Sequence, residues 1–449
     1  MSAHRERYLV QRSTIWRSLF IFAVMFVVAL TPAKAQSSCT APAGWTSHAA
    51  VPAPDNETEP TSNCDFHVWA WNTFLWMTQM SGNSLRFESF ATVADLFAPD
   101  AAPMRFSELP SEKILRLTVR TAKTEEMQDL DSVFQARTNG VIVHGPGETS
   151  GRAVYYSQNV EEVFFEFVRT NRYYDADVYE AAPPNTNFPV GAMEFKYSWK
   201  IVDENEDVSE FYTTPAEIFV LTEKMIDGKK TIVLDPDNTA KVTVALVGVH
   251  VVGVVKDHPE FIWATFEHVN NAPDLPPGMN ITSPDPVSNR DWTFYDANTP
   301  AKDSNRNPND DLRLVNAQKQ LLSPTVDVFR AFAFGGGSPE NVANIQSLNA
   351  SVKAQVTAGT VWENYMLVGG VWTTPNNLIP GSFVSPQLGS TSLANATMET
   401  FDQIFAGVNC LACHAPAKET KDGITVPALN MNISHIMKNG FFSQRKSGN

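Results

Sequence analysis

The hydrophobic and polar positions between residues 40 and 385 follow the pattern of β-strands separated by turns. Apolar runs are broken at short intervals by Pro, Asn, Asp and Gly, which are residues that end strands and form turns. Lys241–Val255 consists mostly of Val, Leu, Ala and Gly, a composition that suits a strand buried on both faces. Asp257-His258-Pro259 interrupts this run, so Glu260–His268 is predicted to be the second strand of a hairpin.

The same pattern predicts a fold class. Further strand-like stretches are Lys229–Leu234, Gly191–Ile201 and Glu210–Thr222. Helical periodicity is less common, and it is found in Asp65–Met80, with an aromatic-rich apolar face, in Leu393–Phe405 and, ambiguously, in Val361–Leu367. We therefore expect a mixed fold, in which a large mainly-β domain of the α+β class, built from antiparallel sheets, is followed by a small α-helical module.

Polar segments suggest where the chain is divided. Residues 375 to 392 are rich in Pro, Gly and Ser and are predicted to be a linker. Asn280–Arg313 is a second long polar stretch, which fits either a functional flap or a disordered excursion. We predict a signal peptide at residues 1–35, a large β-rich domain at 36–385 and a C-terminal helical module at 386–449.

The N-terminus has the organisation of a secretory signal peptide. Arginines at positions 5, 7, 12 and 17 are followed by the apolar run Leu19–Leu30 and by the small-x-small pattern Ala33-Lys34-Ala35. The alternative is a retained membrane anchor, but twelve apolar residues are too few to span a bilayer. The sequence thus predicts a cleaved signal, a periplasmic or secreted protein and no membrane span in the mature form.

Composition and charge limit the classes of molecule that this chain is expected to bind. The hydrophobic content of 43% is ample for a folded core, and the formal net charge is −15. A chain this acidic is a poor partner for nucleic acid or for an anionic lipid surface. The charge is compatible with docking of a basic redox protein, and it is equally ordinary for an exported protein.

Two of the four cysteines are predicted to form a structural disulfide. Cys39 and Cys64 lie close together in the early part of the mature chain, and exported proteins meet an oxidising compartment. A bridge between them would close a loop of about 25 residues, which the chain-entropy model values at ~3 kcal/mol.

The other two cysteines carry the most specific chemistry in the chain. Residues 410 to 414 read Cys-Leu-Ala-Cys-His, the attachment pattern for one covalent haem c. On a helical turn, Cys410, Cys413 and His414 share one face. The two thiols can then bind the vinyl groups while the imidazole of His414 binds the iron. The alternatives are a zinc half-site and a redox dithiol. The sequence has no second Cys-x-x-Cys pair to complete a zinc site, and a redox dithiol does not require the histidine that follows Cys413.

The sixth ligand of the iron is less determined. His435 is the preferred candidate, because it is a polar residue in an apolar stretch and directly follows Ser434. The alternatives are Met431 and Met437, a histidine of the large domain, or an open site. In the large domain, His250 and His268 lie in neighbouring predicted strands. Since 35 residues follow His414, too few to enclose a haem, we expect the large domain to cover part of it.

Several strings resemble those of a family of large exported bacterial proteins, known as cytochrome c family proteins, that carry one C-terminal haem-attachment site. They occur in the family's order over most of the mature chain. They are Trp69–Trp76, Glu194–Lys200, Gly248–Val252, Phe261–Pro273, Leu393–Phe401, Asn409–His414 and Ser434–Ile436. The resemblance implies covalent haem and electron transfer through a cytochrome c-like module, and it implies no substrate for the large domain.

The residues therefore predict a periplasmic monohaem cytochrome that transfers single electrons to or from an unknown redox partner protein, with no assigned catalytic residue. The competing function is a haem oxidoreductase that binds a substrate or peroxide at an open haem face between the two domains, with His250 or His268 as acid-base group. A third is a binding protein in which haem only senses or stabilises. Six-coordinate iron would favour the carrier, and a vacant position would favour the enzyme.

Overall fold

The computed structural model describes residues 39–98, 105–109, 115–117, 142–226, 228–308, 312–405 and 407–447. The predicted signal peptide, residues 1–35, lies outside these ranges. None of the described helices is long and apolar enough to cross a membrane.

The described chain is dominated by strands. They are β1 Met80–Ser81, β2 Ser84–Leu85, β3 Ala91–Thr92, β4 Leu115–Leu117, β5 Ile142–Val143, β6 Arg152–Ala153, β7 Tyr155–Val160, β8 Met193–Ile201, β9 Thr213–Ile226, β10 Lys229–Val255, β11 His258–His268, β12 Arg313–Asn316, β13 Leu321–Ser323, β14 Tyr365–Thr373, β15 Gln387–Gly389, β16 Glu419–Lys421 and β17 Ile424–Val426. The α-helices are α1 Asn63–Met77, α2 Val93–Leu96, α3 Glu162–Thr170, α4 Ala176–Glu180, α5 Pro339–Val352, α6 Cys410–Cys413 and α7 His435–Ser447.

One nine-stranded sheet organises the molecule. Its main path runs β15-β14-β11-β10-β8-β7-β3, with β9 paired to β10 and β4 paired to β9. All of its ladders are antiparallel except the short β4–β9 pair. A large mainly-β fold built from antiparallel sheets is therefore confirmed.

Strand β10 is the centre of this sheet. Its first part pairs with β9, and its second part lies between β8 and β11. Residues 244–249 are fully buried, as the apolar run predicts. The hairpin with β11 is confirmed, with Val255 opposite His258. The two strands predicted at 229–234 and 241–255 are one strand, whose register shifts between Leu234 and Thr239 where turn-forming residues interrupt the run.

Helix α1 confirms the helix predicted at Asp65–Met80. Ser62 begins it with a capping box, in which the Ser62 side chain accepts from the backbone N–H of Asp65 and the Asp65 carboxylate accepts from that of Ser62. Its aromatic residues lie in the core, where the Phe74 ring stacks on Phe266 of β11 at 4.4 Å. The predicted disulfide between Cys39 and Cys64 is present and fastens the first turn of α1 to the preceding loop.

The helix predicted at Leu393–Phe405 is wrong. The segment forms turns and one short 3₁₀ helix, Thr400–Asp402. Its polar groups bond to the sheet instead of to a helical ladder: the Asn395 amide donates to Phe266 O of β11 at 3.0 Å, and the backbone N–H of Ala396 donates to Glu267 at 2.6 Å. Asn side chains that bond to nearby backbone compete with helix formation.

The small α-helical module predicted at the C-terminus is not confirmed. After α6, which is four residues long, come the hairpin β16–β17 and α7. Val426, Ile433, Ile436 and Phe441 share one apolar cluster with sheet residues such as Val252 of β10. The described residues from Cys39 onward form one compact unit. The predicted boundary at residue 386 remains a prediction.

Candidate cofactor site

A four-residue helix presents the Cys-x-x-Cys-His motif. Asn409 precedes α6, and its side-chain amide donates to Gln387 at 2.6 Å and to the carbonyl of Thr391 at 3.1 Å. These bonds fasten the start of the motif to the edge strand β15 and to the residues that follow it, so part of the segment predicted to be a linker belongs to the sheet. His414 caps the C-terminus of the helix, so Cys410, Cys413 and His414 are presented together by one turn.

The ring of His414 is held in one orientation. Its Nδ1 lies 2.8 Å from the carbonyl oxygen of Ile433, which can only accept, so Nδ1 carries the proton. The indole of Trp263 lies against the ring at 4.1 Å between centroids. Burial lowers the pKa of His414 to about 3, which keeps the ring neutral. A neutral imidazole that donates from Nδ1 to a carbonyl leaves Nε2 as a metal ligand, as in metal sites generally.

A cavity of about 270 Å³ lies between the motif and the large sheet. On the C-terminal side it is lined by Cys410, Cys413, His414, His435, Ile436 and Asn439. On the sheet side it is lined by Gln158, Glu194, Lys196, His250, Val252 and Trp263. Haem bound at Cys410 and Cys413 would lie against the sheet.

Strand register determines which residues line the sheet side of the cavity. Glu194, Val252 and Trp263 are cross-strand neighbours on β8, β10 and β11. Two residues along, Lys196 lies opposite His250 on the same face of the sheet. Because side chains alternate between faces with a period of two, these two rows together form one wall.

His435 is the first residue of α7 and lies beside His414. The two rings stack with centroids 3.8 Å apart and planes 20° apart. Burial, followed by the neighbouring His414, lowers the pKa of His435, so this ring is also neutral. Rings that bind one iron from opposite sides have Nε2 atoms about 4 Å apart, with the rings themselves beyond. The stacked pair does not have that arrangement, and Nε2 of His435 lies 3.3 Å from the carbonyl oxygen of Cys413, so His435 would have to turn in order to bind an ion held by His414.

The other candidate ligands are distributed between the cavity and the core. Met431 and Met437 are fully buried in the apolar cluster and do not line the cavity. His268 stacks on Phe211 at 3.7 Å and bonds through Nε2 to the carbonyl of Glu210, also away from the cavity. His250 does line it.

Two glutamates to which the sequence assigned no role also line the cavity. Glu399 Oε1 lies 3.0 Å from His250 Nε2. Burial alone would raise the pKa of Glu399, but the charge and hydrogen bond of His250 outweigh it and lower the pKa to about 2. Glu194 accepts the hydroxyl proton of Ser434, and burial raises its pKa to about 7. Both residues lie in strings that carry the family resemblance, but no spacing rule assigns them to a site. The register of β8 and the docking of residues 395–400 place them at the cavity.

The donor set fits haem c. Two thiols on one helical turn, a histidine with Nε2 available and a second neutral imidazole all line a single cavity. Zinc fits less well: within the described ranges, Cys410, Cys413, His414 and His435 form no group of three ligand atoms within 4.8 Å of one another.

Comparisons of this chain with protein-family models, with curated proteins and with solved structures found no match.

Proposed function

We propose that this chain is a monohaem c-type cytochrome that transfers single electrons. Cys410 and Cys413 would bind the haem covalently, and His414 would bind its iron through Nε2. The observation that carries the proposal is the Cys-x-x-Cys-His turn on a cavity wall, with His414 Nδ1 committed to the carbonyl of Ile433 at 2.8 Å. We propose that His435 would be the second protein ligand of the iron, because it lines the same cavity as His414 and burial keeps its imidazole neutral.

The location and partner belong to the same proposal. Covalent haem attachment, the disulfide Cys39–Cys64 and the sequence pattern of residues 1–35 are all consistent with export to the periplasm. The net charge of −15 suits a basic redox partner. The cytochrome c-like part consists of the segment from 386 onward together with the wall of the sheet, since both line the cavity.

Bound haem supplies an iron that takes up and releases one electron. The protein's own groups would hold its surroundings. Trp263 packs against His414, and the Glu194–Ser434 bond ties the start of α7 to β8. Because Glu194 lies on β8 and bonds to Ser434, it would help to fix the position of the next residue, His435. The sheet side of the cavity excludes water from one side of the cofactor.

The first experiment measures covalent haem. The exported chain should retain haem absorbance after denaturation and acid extraction, and Cys410→Ala with Cys413→Ala should abolish this. The matched control is Cys39→Ser with Cys64→Ser, which removes the same number of thiols and should keep the haem. Covalent haem that survives loss of Cys410 and Cys413 would refute the proposal.

A haem oxidoreductase is the second candidate. The His250–Glu399 pair favours it, because an ionised carboxylate and an imidazole on the cavity wall are groups that acid-base chemistry uses. The ferric and ferrous absorption spectra with added cyanide or carbon monoxide distinguish the two functions. A low-spin spectrum that neither cyanide nor carbon monoxide changes would support the electron-transfer function. A high-spin spectrum that shifts when either ligand is added would support the oxidoreductase.

A further inference from the structure

Strand β11 is irregular just before Trp263, the residue that packs on His414. Between the pairs Gly253–Ile262 and Val255–His258, β10 contributes one residue, at 254, and β11 contributes three, at 259–261. Strand β11 therefore bulges at these positions. Bulges are common beside functional sites, where they change the direction of a nearby side chain.

Phe261, the last residue of the bulge, has a strained backbone. Its φ is 65°, in the left-handed region that a bulky side chain rarely adopts. Its ring is fully buried between Phe188, at 5.3 Å, and Trp263, at 5.8 Å, both measured between ring centroids. Such strain persists only where the surrounding structure determines the conformation, and it is found most often near functional sites.

The bulge brings the carbonyl group of Glu260 to the indole of Trp263. Trp263 Nε1 donates to this carbonyl oxygen at 2.9 Å, and both residues are buried. In a regular strand, residues three apart are separated by about 10 Å and the carbonyl groups point towards the neighbouring strands. The bond therefore depends on the bulge. Because an indole has a single hydrogen-bond donor, this bond fixes the orientation of the ring.

The side chain of Glu260 fastens the bulge to the neighbouring strand. Its Oε1 accepts from the backbone N–H of Thr373, the last residue of β14, at 3.2 Å. The same oxygen lies 2.9 Å from the Thr373 hydroxyl oxygen and 2.8 Å from His258 Nδ1. Glu260, Thr373 and His258 do not line the cavity at Cys410. This buried carboxyl group is thus away from the cofactor site, but it holds the residue whose carbonyl group orients Trp263.

We propose that Glu260 and the bulge at Phe261 position Trp263 and thereby set the reduction potential of the haem iron. The proposal rests on the proposed function, since the iron is the one that His414 would bind. Trp263 contacts the ring of His414 at 4.1 Å between centroids, while Nδ1 of that ring is bonded to the carbonyl of Ile433. With one face and one nitrogen held, the imidazole would keep a fixed orientation at the iron, and the indole would keep water from it. Ligand orientation and solvent access are two means by which proteins tune a metal.

A redox titration of the haem-containing chain tests the proposal. Trp263→Ala and Glu260→Ala should both lower the reduction potential, because water that reaches the ring of His414 stabilises the charge of ferric iron. Trp263→Phe, which keeps an aromatic ring but removes the Nε1–H bond, should shift it in the same direction by less. Glu260→Gln should retain the potential of the unmodified chain, because its amide oxygen can accept the bonds from Thr373.

Trp199→Ala is the matched control. Trp199 is a fully buried tryptophan of β8 in the same sheet, and its Nε1 is also bonded, to Ser157 Oγ at 3.0 Å. It does not line the cavity. Its loss should destabilise the protein as the loss of a core tryptophan does, but it should leave the reduction potential unchanged. Far-UV circular dichroism shows which variants are folded.

A second measurement does not require haem. In a chain with Cys410→Ala and Cys413→Ala, the ring ¹⁵N resonances of His414, identified by their loss in His414→Gln, should report a neutral ring protonated at Nδ1. Trp263→Ala in this background should shift or broaden them, and Trp199→Ala should not. If the unmodified chain carries no haem, the proposed function fails, while this measurement still shows whether Trp263 holds His414.

Three results would overturn the proposal. One is an unchanged reduction potential, or unchanged His414 resonances, in folded Trp263→Ala. Another is a shift in Trp199→Ala as large as that in Trp263→Ala, which would show only a general loss of packing. The third is an equal shift in Glu260→Gln and Glu260→Ala, since the bonds to Thr373 would then have no part in the effect.

Discussion

His414 shows how a single residue depends on distant ones. Sequence spacing places it beside Cys413, but its proton position is set by the carbonyl of Ile433, and its ring is held by Trp263 of β11. A metal-binding histidine almost always donates its other ring N–H to a fixed acceptor, which orients the ring. The chemistry is therefore encoded locally, while the orientation that makes it usable comes from contacts elsewhere in the chain.

The proposal that His435 is the second ligand of the iron is tested by substituting this one residue. His435→Ala should convert low-spin ferric iron to a form that binds cyanide and should change the reduction potential, because a strong-field nitrogen ligand is lost. The measurement is the absorption spectrum with and without cyanide, together with a redox titration. Met437→Leu is the matched control, since Met437 is buried two residues away in α7 and should leave the spectrum unchanged. If the spectrum responds to Met437→Leu and not to His435→Ala, the assignment of His435 is wrong.

Among the elements, the segment from 393 to 405 departs most from its sequence pattern. Its apolar periodicity predicts a helix, yet it docks on β10 and β11 through side-chain bonds. Gly248 of β10 makes this approach possible. A Cβ there would lie 2.6 Å from Ser198 Oγ and 2.9 Å from Asn395 Oδ1 and Thr397 Oγ1. Close approach of this loop carries Glu399 to His250, so one glycine helps to form the cavity wall.

Gly248→Ala is expected to destabilise the protein. The added methyl group would push the 395–397 turn away from β10, at a cost of about 1–3 kcal/mol typical of overpacking. Urea unfolding at pH 7 measures the loss, and a shifted haem absorption band would report the moved cavity wall. Gly44→Ala is the control, because a Cβ at Gly44 would meet no other atom within 4 Å and should leave stability nearly unchanged. Equal stability of the two variants would contradict close docking of the turn.

At the scale of the whole molecule, the cavity belongs to both predicted domains. Its walls come from β8, β10 and β11 on one side and from α6 and α7 on the other. The residues after 386 also share an apolar cluster with the sheet. A haem bound in this cavity, as proposed, would depend on the large domain for its environment, even though Cys410 and Cys413 are near the C-terminus.

A fragment comprising residues 386–449 therefore should not form the native site. Without the sheet it would expose the apolar residues of α7 and lose the wall carrying Trp263 and Glu194. We expect little helical circular dichroism and, with haem attached, a spectrum that differs from that of the full chain and shifts on addition of carbon monoxide. The intact protein measured in the same buffer is the control. A folded fragment with the native spectrum would show that residues 386–449 fold and bind haem without the sheet, contrary to this prediction.

The sequence alone determined the features that depend on spacing along the chain. The Cys-x-x-Cys-His motif, the pairing of Cys39 with Cys64, helix α1 and the hairpin β10–β11 all follow from residue spacing and local bonding. The tertiary structure decided which distant groups meet: Glu399 with His250, Glu194 with Ser434, and Trp263 with His414. Those contacts depend on strand register and on loop docking, which bring together residues up to 240 positions apart and which no local pattern encodes.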